Sequence, residues 1–356
     1  MNVHTTGRSG PGRKQDPEFA SGRSAAALAM TPKDETNFPP HRHPKVLYIG
    51  GCGRSGSTLL DRMLGQVPGF FSAGELVHLW RRCVLADEPC GCGESFSECP
   101  LWTSVGHMAF RDWRGFDIAD VLSLQSRVDR NRFIPFLLQP SLSASYRAHL
   151  RRYAELVSHL YTAIANAAGA DVVVDSSKHP STAFLLRHVG VDLRVVHLVR
   201  DAHGVAFSWA KKVYRPEATP GHELMATATP VRSASRWMTY NLLFHLLAST
   251  GTPVLLVRYE TLVRSPRQEL SRILALVDVR PPDHVMQFVR PGAVSLRPNH
   301  TVSGNPLRFL QGSVALRPDD AWKERMRWEQ RAVTTALTWP LLARYGYRQW
   351  RTADGG

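Results

Sequence analysis

One stretch constrains this chain more than any other: KVLYIGGCGRSGSTLLDRMLG, residues 45–65. Its apolar run Val46-Leu47-Tyr48-Ile49 is short and β-rich, which suits a buried strand. Gly50, Gly51 and Gly53 follow, and Gly56 closes the turn. Leu59, Leu60, Met63, Leu64 and Val67 then recur at the spacing of an amphipathic helix. A strand, a glycine-rich turn and a helix N-terminus together predict an anion cradle. The free N–H groups of the first helical turn point at the ligand, and the helix dipole favours negative charge there.

The rest of the chain alternates in the same way. Extended segments are expected at 70–74, 171–174, 193–199 and 253–257. Helices are expected at 143–168, 180–188, 205–212 and 233–250, and after Pro266. Strands alternating with helices define an α/β protein, with a mostly parallel central sheet and helices on both faces. Residues 1–40 carry Gly, Ser, Pro and charge without periodicity and read as a disordered leader. His41-Arg42-His43 before the first strand reads as surface. Residues 41–350 then form a single domain. Its span of about 76–140 holds Trp80, Trp102, Trp113 and polar loops without strand–helix alternation, so it reads as an insertion that covers an acceptor site. Trp322, Trp328 and Trp339 fall in terminal helices and read as core.

The 356 residues are 43% apolar, ample for a core, and the net charge is +14. Residues 290–351 hold eleven Lys/Arg against four Asp/Glu, so much of the excess is C-terminal. A basic surface suits an anionic ligand, an acidic acceptor or nucleic acid, or is simply an arginine-rich solvated face. The longest apolar run, 242–248, is short and contains His245, so no membrane span is expected. A cytoplasmic location is the expectation. Cys52 in the glycine loop reads as a small filler. Cys83, Cys90, Cys92 and Cys99 crowd into one segment and could clip it by metal or disulfide, although C-x-C is tighter than a usual zinc knuckle.

The spacing Gly51 to Gly56 followed by Ser57-Thr58 resembles the Walker A loop, with one departure: Ser57 stands where its lysine would be. A cation sits inside the loop instead, at Arg54. The run Gly53-Arg54-Ser55-Gly56-Ser57-Thr58 resembles the 5′-phosphosulfate loop of sulfotransferases that use PAPS, 3′-phosphoadenosine 5′-phosphosulfate. Val199-Arg200-Asp201, with Ser208 on the helix that follows, resembles that family's 3′-phosphate motif. A guanidinium offers a planar fork to a phosphate, and a hydroxyl adds a neutral donor.

The resemblance covers roughly residues 45–345 and implies further roles. Lys178, in Asp175-Ser176-Ser177-Lys178, stands where a lysine contacts the phosphosulfate. Glu75, after Gly74, stands where a general base removes the acceptor's proton. His78, His179 and His203 are alternative bases. The segment from Pro298 to Arg308 resembles a loop that closes over the nucleotide, with Asn305 and Arg308 as contacts and His300 as a weaker one. The resemblance implies PAPS as co-substrate, no metal, and an acceptor hydroxyl (or, second, an amine) on a small molecule, glycan or lipid. A kinase using ATP is the alternative, with Asp175 as its magnesium carboxylate. Nucleic acid is not an expected partner, because no aromatic-basic interleaving accompanies the charge. Nothing in the chain selects an acceptor or an oligomeric state.

Overall fold

A computed structural model describes residues 44–115, 117–211 and 227–347. The expected leader, the His41-Arg42-His43 triplet, Lys212 and residues 348–350 lie outside the described residues. The 45–65 stretch folds as its pattern predicts. β1 (Lys45–Gly50) runs into the glycine loop and α1 (Ser57–Leu64) leaves it. β2 (Phe70–Gly74) stops one residue before Glu75.

Residues 76–140 differ from the expected polar loops. They form two short turns, Leu76–His78 and Leu79–Leu85, then α2 (Pro100–Phe110), α3 (Ile118–Val128) and α4 (Ile134–Leu138). Their aromatic residues explain the difference. Trp80, Phe96 and Trp102 are buried and pack with Phe110 and Trp113. Trp80 Nε1 donates to the Tyr153 hydroxyl at 3.1 Å, which joins this cap to the main core.

The chain then alternates: α5 (Ala144–Ala168), β3 (Val172–Lys178), α6 (Pro180–Leu186), β4 (Asp192–Val199), α7 (Ala202–Ala210), α8 (Pro230–Ser249) and β5 (Val254–Arg258). β3 runs four residues beyond the expected stop, because its partner β1 still pairs there, Gly50 opposite Lys178. α9 (Tyr259–Arg264) and α10 (Pro266–Leu276) follow.

The five strands form one sheet in the order β2-β3-β1-β4-β5, with every pairing parallel. β1 lies at its centre. Val46 and Tyr48 face one core, with Trp80, Tyr161 and Phe244; Leu47 and Ile49 face the other, with Leu60, Met63 and Ile273. Both faces are covered, which is why β1 is apolar without alternation.

A second sheet was not anticipated. β6 (Val289–Arg290), β7 (Ala293–Leu296) and β8 (Gly312–Ala315) are antiparallel. The segment between β7 and β8 returns to the main sheet, where Val302 bridges Gly74. Val302 N donates to Ala73 O and Glu75 N to Val302 O, both at 2.9 Å. Arg62 of α1 donates to the carbonyls of Arg297 and Arg308 in the same segment. Last come α11 (Trp322–Arg325) and α12 (Trp328–Arg344). Trp322 stacks on His203, but Trp328 and Trp339 are 74% and 57% exposed and are not core. They lie on the outer side of the last helix, where no further element covers them among the described residues.

Gly74 is where the terminal segment meets the sheet. Its φ of +87° is left-handed, and a Cβ there would lie 2.3 Å from the Val302 carbonyl oxygen. Left-handed backbone alone costs an L-residue about 1–2 kcal/mol, before any displacement of the bridge. Gly74→Ala is expected to lower the urea midpoint by at least that cost. A variant as stable as the parent would show that the bridge yields freely.

Candidate active site

In a parallel sheet every strand ends on the same edge. Here each end delivers a residue to one cleft of about 550 Å³: Arg54 in the loop after β1, Glu75 after β2, Lys178 ending β3, Arg200 after β4 and Tyr259 after β5. Open α/β sheets bind ligands at this edge, where the strand order reverses.

The glycine loop forms one wall. Gly53, Arg54, Gly56, Ser57 and Thr58 line the cleft. Gly56 caps α1 without a side-chain hydrogen bond, so the first amides of the helix have no side-chain cap. Ser55 does not line the cleft, yet its Oγ is buried without a partner. Arg54 adopts a left-handed φ of +71°, and its guanidinium lies 5.1 Å from the Trp209 ring centroid. Arg236 covers the same ring at 5.4 Å. Burial lowers the Arg54 pKa, partly offset by the charge of Glu75.

Arg200 is nearly buried. Its Nη1 donates to the Arg54 carbonyl at 3.0 Å, and its Nη2 meets Asp319 Oδ2 at 3.0 Å. Its guanidinium lies 4.9 Å from the Tyr259 ring centroid. Ser208, on α7, lines the same wall. The two arginines expected to grip the ends of a nucleotide therefore share one cleft and touch through backbone.

Glu75 and Lys178 form the floor. Lys178 Nζ lies 2.5 Å from Glu75 Oε1 and donates to Ser176 O at 3.0 Å. His78 Nε2 lies 3.6 Å from Glu75 Oε2. Burial pushes the Glu75 carboxyl up, but Lys178, His78 and Arg82 outweigh it, and the net shift is downward. His179 also lines the cleft, with its pKa pushed down to about 3 by burial and then by the charges of His78 and Lys178. His203 is outside: it pairs with Asp201 at 2.8 Å and stacks on Trp322.

Several expectations, besides Ser55, need correcting. Arg308 does not reach the cleft; it is fully buried, donating to Thr301 O at 3.0 Å and Pro89 O at 2.8 Å. Asn305 does line it, while its side chain accepts from Leu307 N. His300 points elsewhere, toward the cysteines. The C-terminal charge excess does not build the site either. Among the described residues, those beyond position 290 that line it are Gly304, Asn305, Leu307 and Asp319, none of them cationic. Of the described residues of the expected insertion, only His78 and Arg82 line the cleft. Sequence reasoning missed Trp209, which directly follows Ser208 on α7, and Arg236, Tyr240 and Tyr259, which lie on helices with no motif to mark them.

Among the described residues the cleft holds five Lys/Arg and two carboxylates, a balance that favours an anion. Asp175 cannot serve magnesium there. It is fully buried, accepting from Tyr161 Oη and Ser177 Oγ at 2.5 Å each and from Ser177 N at 2.8 Å, and burial pushes its pKa to about 6. Cys52 is buried, its thiol pushed up to about 12, as befits a filler.

The geometry defines an α/β protein with an anion-binding cleft at the carboxyl edge of a parallel sheet. The chain belongs to the sulfotransferase family, whose model matches residues 46–283, more than half its length. It is thus a transferase of sulfuryl groups. No curated protein matches it. Among solved structures it is similar to the sulfotransferase domain of the Synechococcus PCC 7002 olefin synthase, with 21% identity, 85% of this chain and 96% of that chain covered, and a TM-score of 0.42. The sulfotransferase domain of the curacin biosynthetic pathway gives 18%, 85%, 98% and 0.46. A sulfotransferase of Mycobacterium avium gives 16%, 85%, 77% and 0.43. The family assignment rests on the match over residues 46–283, not on these distant likenesses. No helix among the described residues is long and apolar enough to cross a membrane.

Lys178 sets the protonation of Glu75. With its pKa depressed, Glu75 contributes stability above its unfolded value, lost only as pH falls below the ordinary glutamate range. In Lys178→Met, burial is expected to act against less opposition, so that the downward shift shrinks. Removing one partner of a buried pair costs about 3–5 kcal/mol. The stability gap between parent and variant is expected to be widest near neutral pH and to close on acidification. A gap that stays constant with pH would remove the coupling.

Proposed function

We propose that this sulfotransferase takes its sulfuryl group from PAPS and passes it to an acceptor hydroxyl, with Glu75 as general base. One observation carries the reading: Arg54, Glu75, Lys178 and Arg200, from four strand ends, line a single cleft rich in positive charge. The uncapped start of α1, beside Ser57 and Thr58, fits an anionic group.

PAPS, when bound, supplies an activated sulfuryl group for in-line displacement by the acceptor oxygen. Arg54, Ser57, Thr58 and the loop amides hold the 5′ end and counter charge on the leaving oxygen, an electrostatic role that tends to dominate such catalysis. Arg200 and Ser208 hold the 3′-phosphate, and Asn305 closes over the nucleotide. Glu75 removes the acceptor's proton. Lys178 links the two tasks. An anion in the cleft competes with Glu75 for its ammonium, and loosening that pair raises the proton affinity of Glu75. The base therefore strengthens when the donor is in place.

The arginine and lysine countercharges need no metal for this step. The acceptor is a small-molecule, glycan or lipid hydroxyl, met on the side of Glu75 and His78. A cytoplasmic location is part of the proposal.

Arg54→Ala and Arg200→Ala are each expected to lower kcat/KM for PAPS by at least about 10²-fold, and Glu75→Gln to lower kcat by about 10²–10⁴-fold. PAP, the desulfated product, is expected to stabilise the folded chain by about 2.7 kcal/mol at a hundred times its Kd, with ATP–magnesium giving less. Near-normal turnover by either arginine variant, or a phosphorylated product made from ATP, would refute the assignment.

A further inference from the structure

The cysteine segment resolves into a cluster that the cleft does not use. Cys90 and Cys92 lie in a turn closed by Cys90 N donating to Glu94 O at 2.8 Å, and Cys99 is the N-cap residue just before α2. The fourth member is His300, from the segment between β7 and β8. Cys83 is elsewhere, its Sγ 3.8 Å from Ser303 Oγ. The ligand-capable atoms of Cys90, Cys92, Cys99 and His300 all lie within 4.8 Å of one another.

Their separations suit a tetrahedral metal. Bond lengths of about 2.3 Å to sulfur and 2.0–2.1 Å to nitrogen give tetrahedral edges of about 3.8 Å (S–S) and about 3.6 Å (S–N). Cys92 and Cys99 Sγ are 3.9 Å apart. His300 Nδ1 is 3.8 Å from Cys90 Sγ and 3.3 Å from Cys99 Sγ. A disulfide would account for two of the sulfurs. It gives no reason for a third thiol and an imidazole to converge on the same point, and all the cysteines are free.

The surroundings hold the four groups in place independently. Gly91 N donates to Thr301 O at 2.9 Å, and Trp102 Nε1 donates to His300 O at 2.8 Å. Arg308 donates to Pro89 O and Thr301 O, beside Cys90 and His300. Its buried cation complements the net negative charge of three thiolates around a divalent ion. Cys90 and Cys99 are fully buried, while Cys92 and His300 remain partly accessible and leave an entry path.

We infer that Cys90, Cys92, Cys99 and His300 bind one zinc ion as a closed structural site. Three thiolates and one imidazole are zinc's ligand chemistry, and four protein ligands leave no open position for catalysis. The ion joins the turn before α2 to the segment carrying Val302 and Gly304. Val302 accepts from Glu75 N, and Gly304 packs against the Glu75 carboxylate. The clamp thus steadies the wall beside the proposed base from outside the cleft.

The test is metal content of the untagged full-length chain, by mass spectrometry after desalting. The expected result is one zinc per chain in the parent and in Cys83→Ser, and close to none in Cys92→Ser or His300→Ala. Cobalt substituted into the parent is expected to give the visible spectrum of a tetrahedral thiolate site, a readout that stands even if the variants fold poorly. A parent chain without zinc and without that spectrum, or a Cys92–Cys99 disulfide in a non-reduced peptide map, would overturn the inference. Neither measurement depends on sulfuryl transfer, so failure here and failure of the donor assignment are separable.

Discussion

The parallel register of the central sheet is the constraint on which the rest depends. β1 pairs with β3 on one side and β4 on the other, so no strand can slip without moving a site residue. Because all five strands run the same way, their ends share one edge. Arg54, Glu75, Lys178, Arg200 and Tyr259 are far apart in sequence but adjacent there. Burial of both faces makes this arrangement rigid, since a one-residue slip would send Val46 and Tyr48 into the wrong core.

On that edge, electrostatics decide the chemistry. Among the described residues five cations face two carboxylates, and one carboxylate, Asp319, already pairs with Arg200. The other, Glu75, would be costly to bury alone; Lys178 at 2.5 Å makes its ionised form the stable one. The same ion pair that stabilises the folded cleft also holds the proposed base in reserve. A tightly paired carboxylate is a poor proton acceptor, so its use requires that the lysine find another anion.

The cleft is completed by chain that follows no alternating pattern. The 76–140 segment builds a helical cap through its tryptophans and contributes His78 and Arg82. The segment between β7 and β8 adds a single bridge to β2 at Val302 and contributes Asn305. Arg308 belongs to this second element as a buried strut, tying the carbonyls of Pro89 and Thr301 together. Its reach along the loop resembles that of a phosphate contact in sequence; in space its guanidinium is used up by backbone carbonyls.

The sequence alone determined the strand–loop–helix at 45–65, the α/β alternation and the placing of Arg54, Glu75 and Arg200 just after strand ends, whereas pairing with β1 carried β3 on to Lys178. Those features are local: periodicity and glycine placement act over a few residues, and the parallel fold follows from the alternation. Tertiary structure alone decided which cations face the cleft and which serve as struts. Arg308 sits in a motif-like loop and Arg236 in none, yet Arg236 lines the cavity and Arg308 is buried in the loop. It also decided that His300, not Cys83, completes the cysteine cluster, and that α2, α3 and α4 form within residues 76–140. These outcomes rest on contacts between segments as far as two hundred residues apart, which no local pattern encodes.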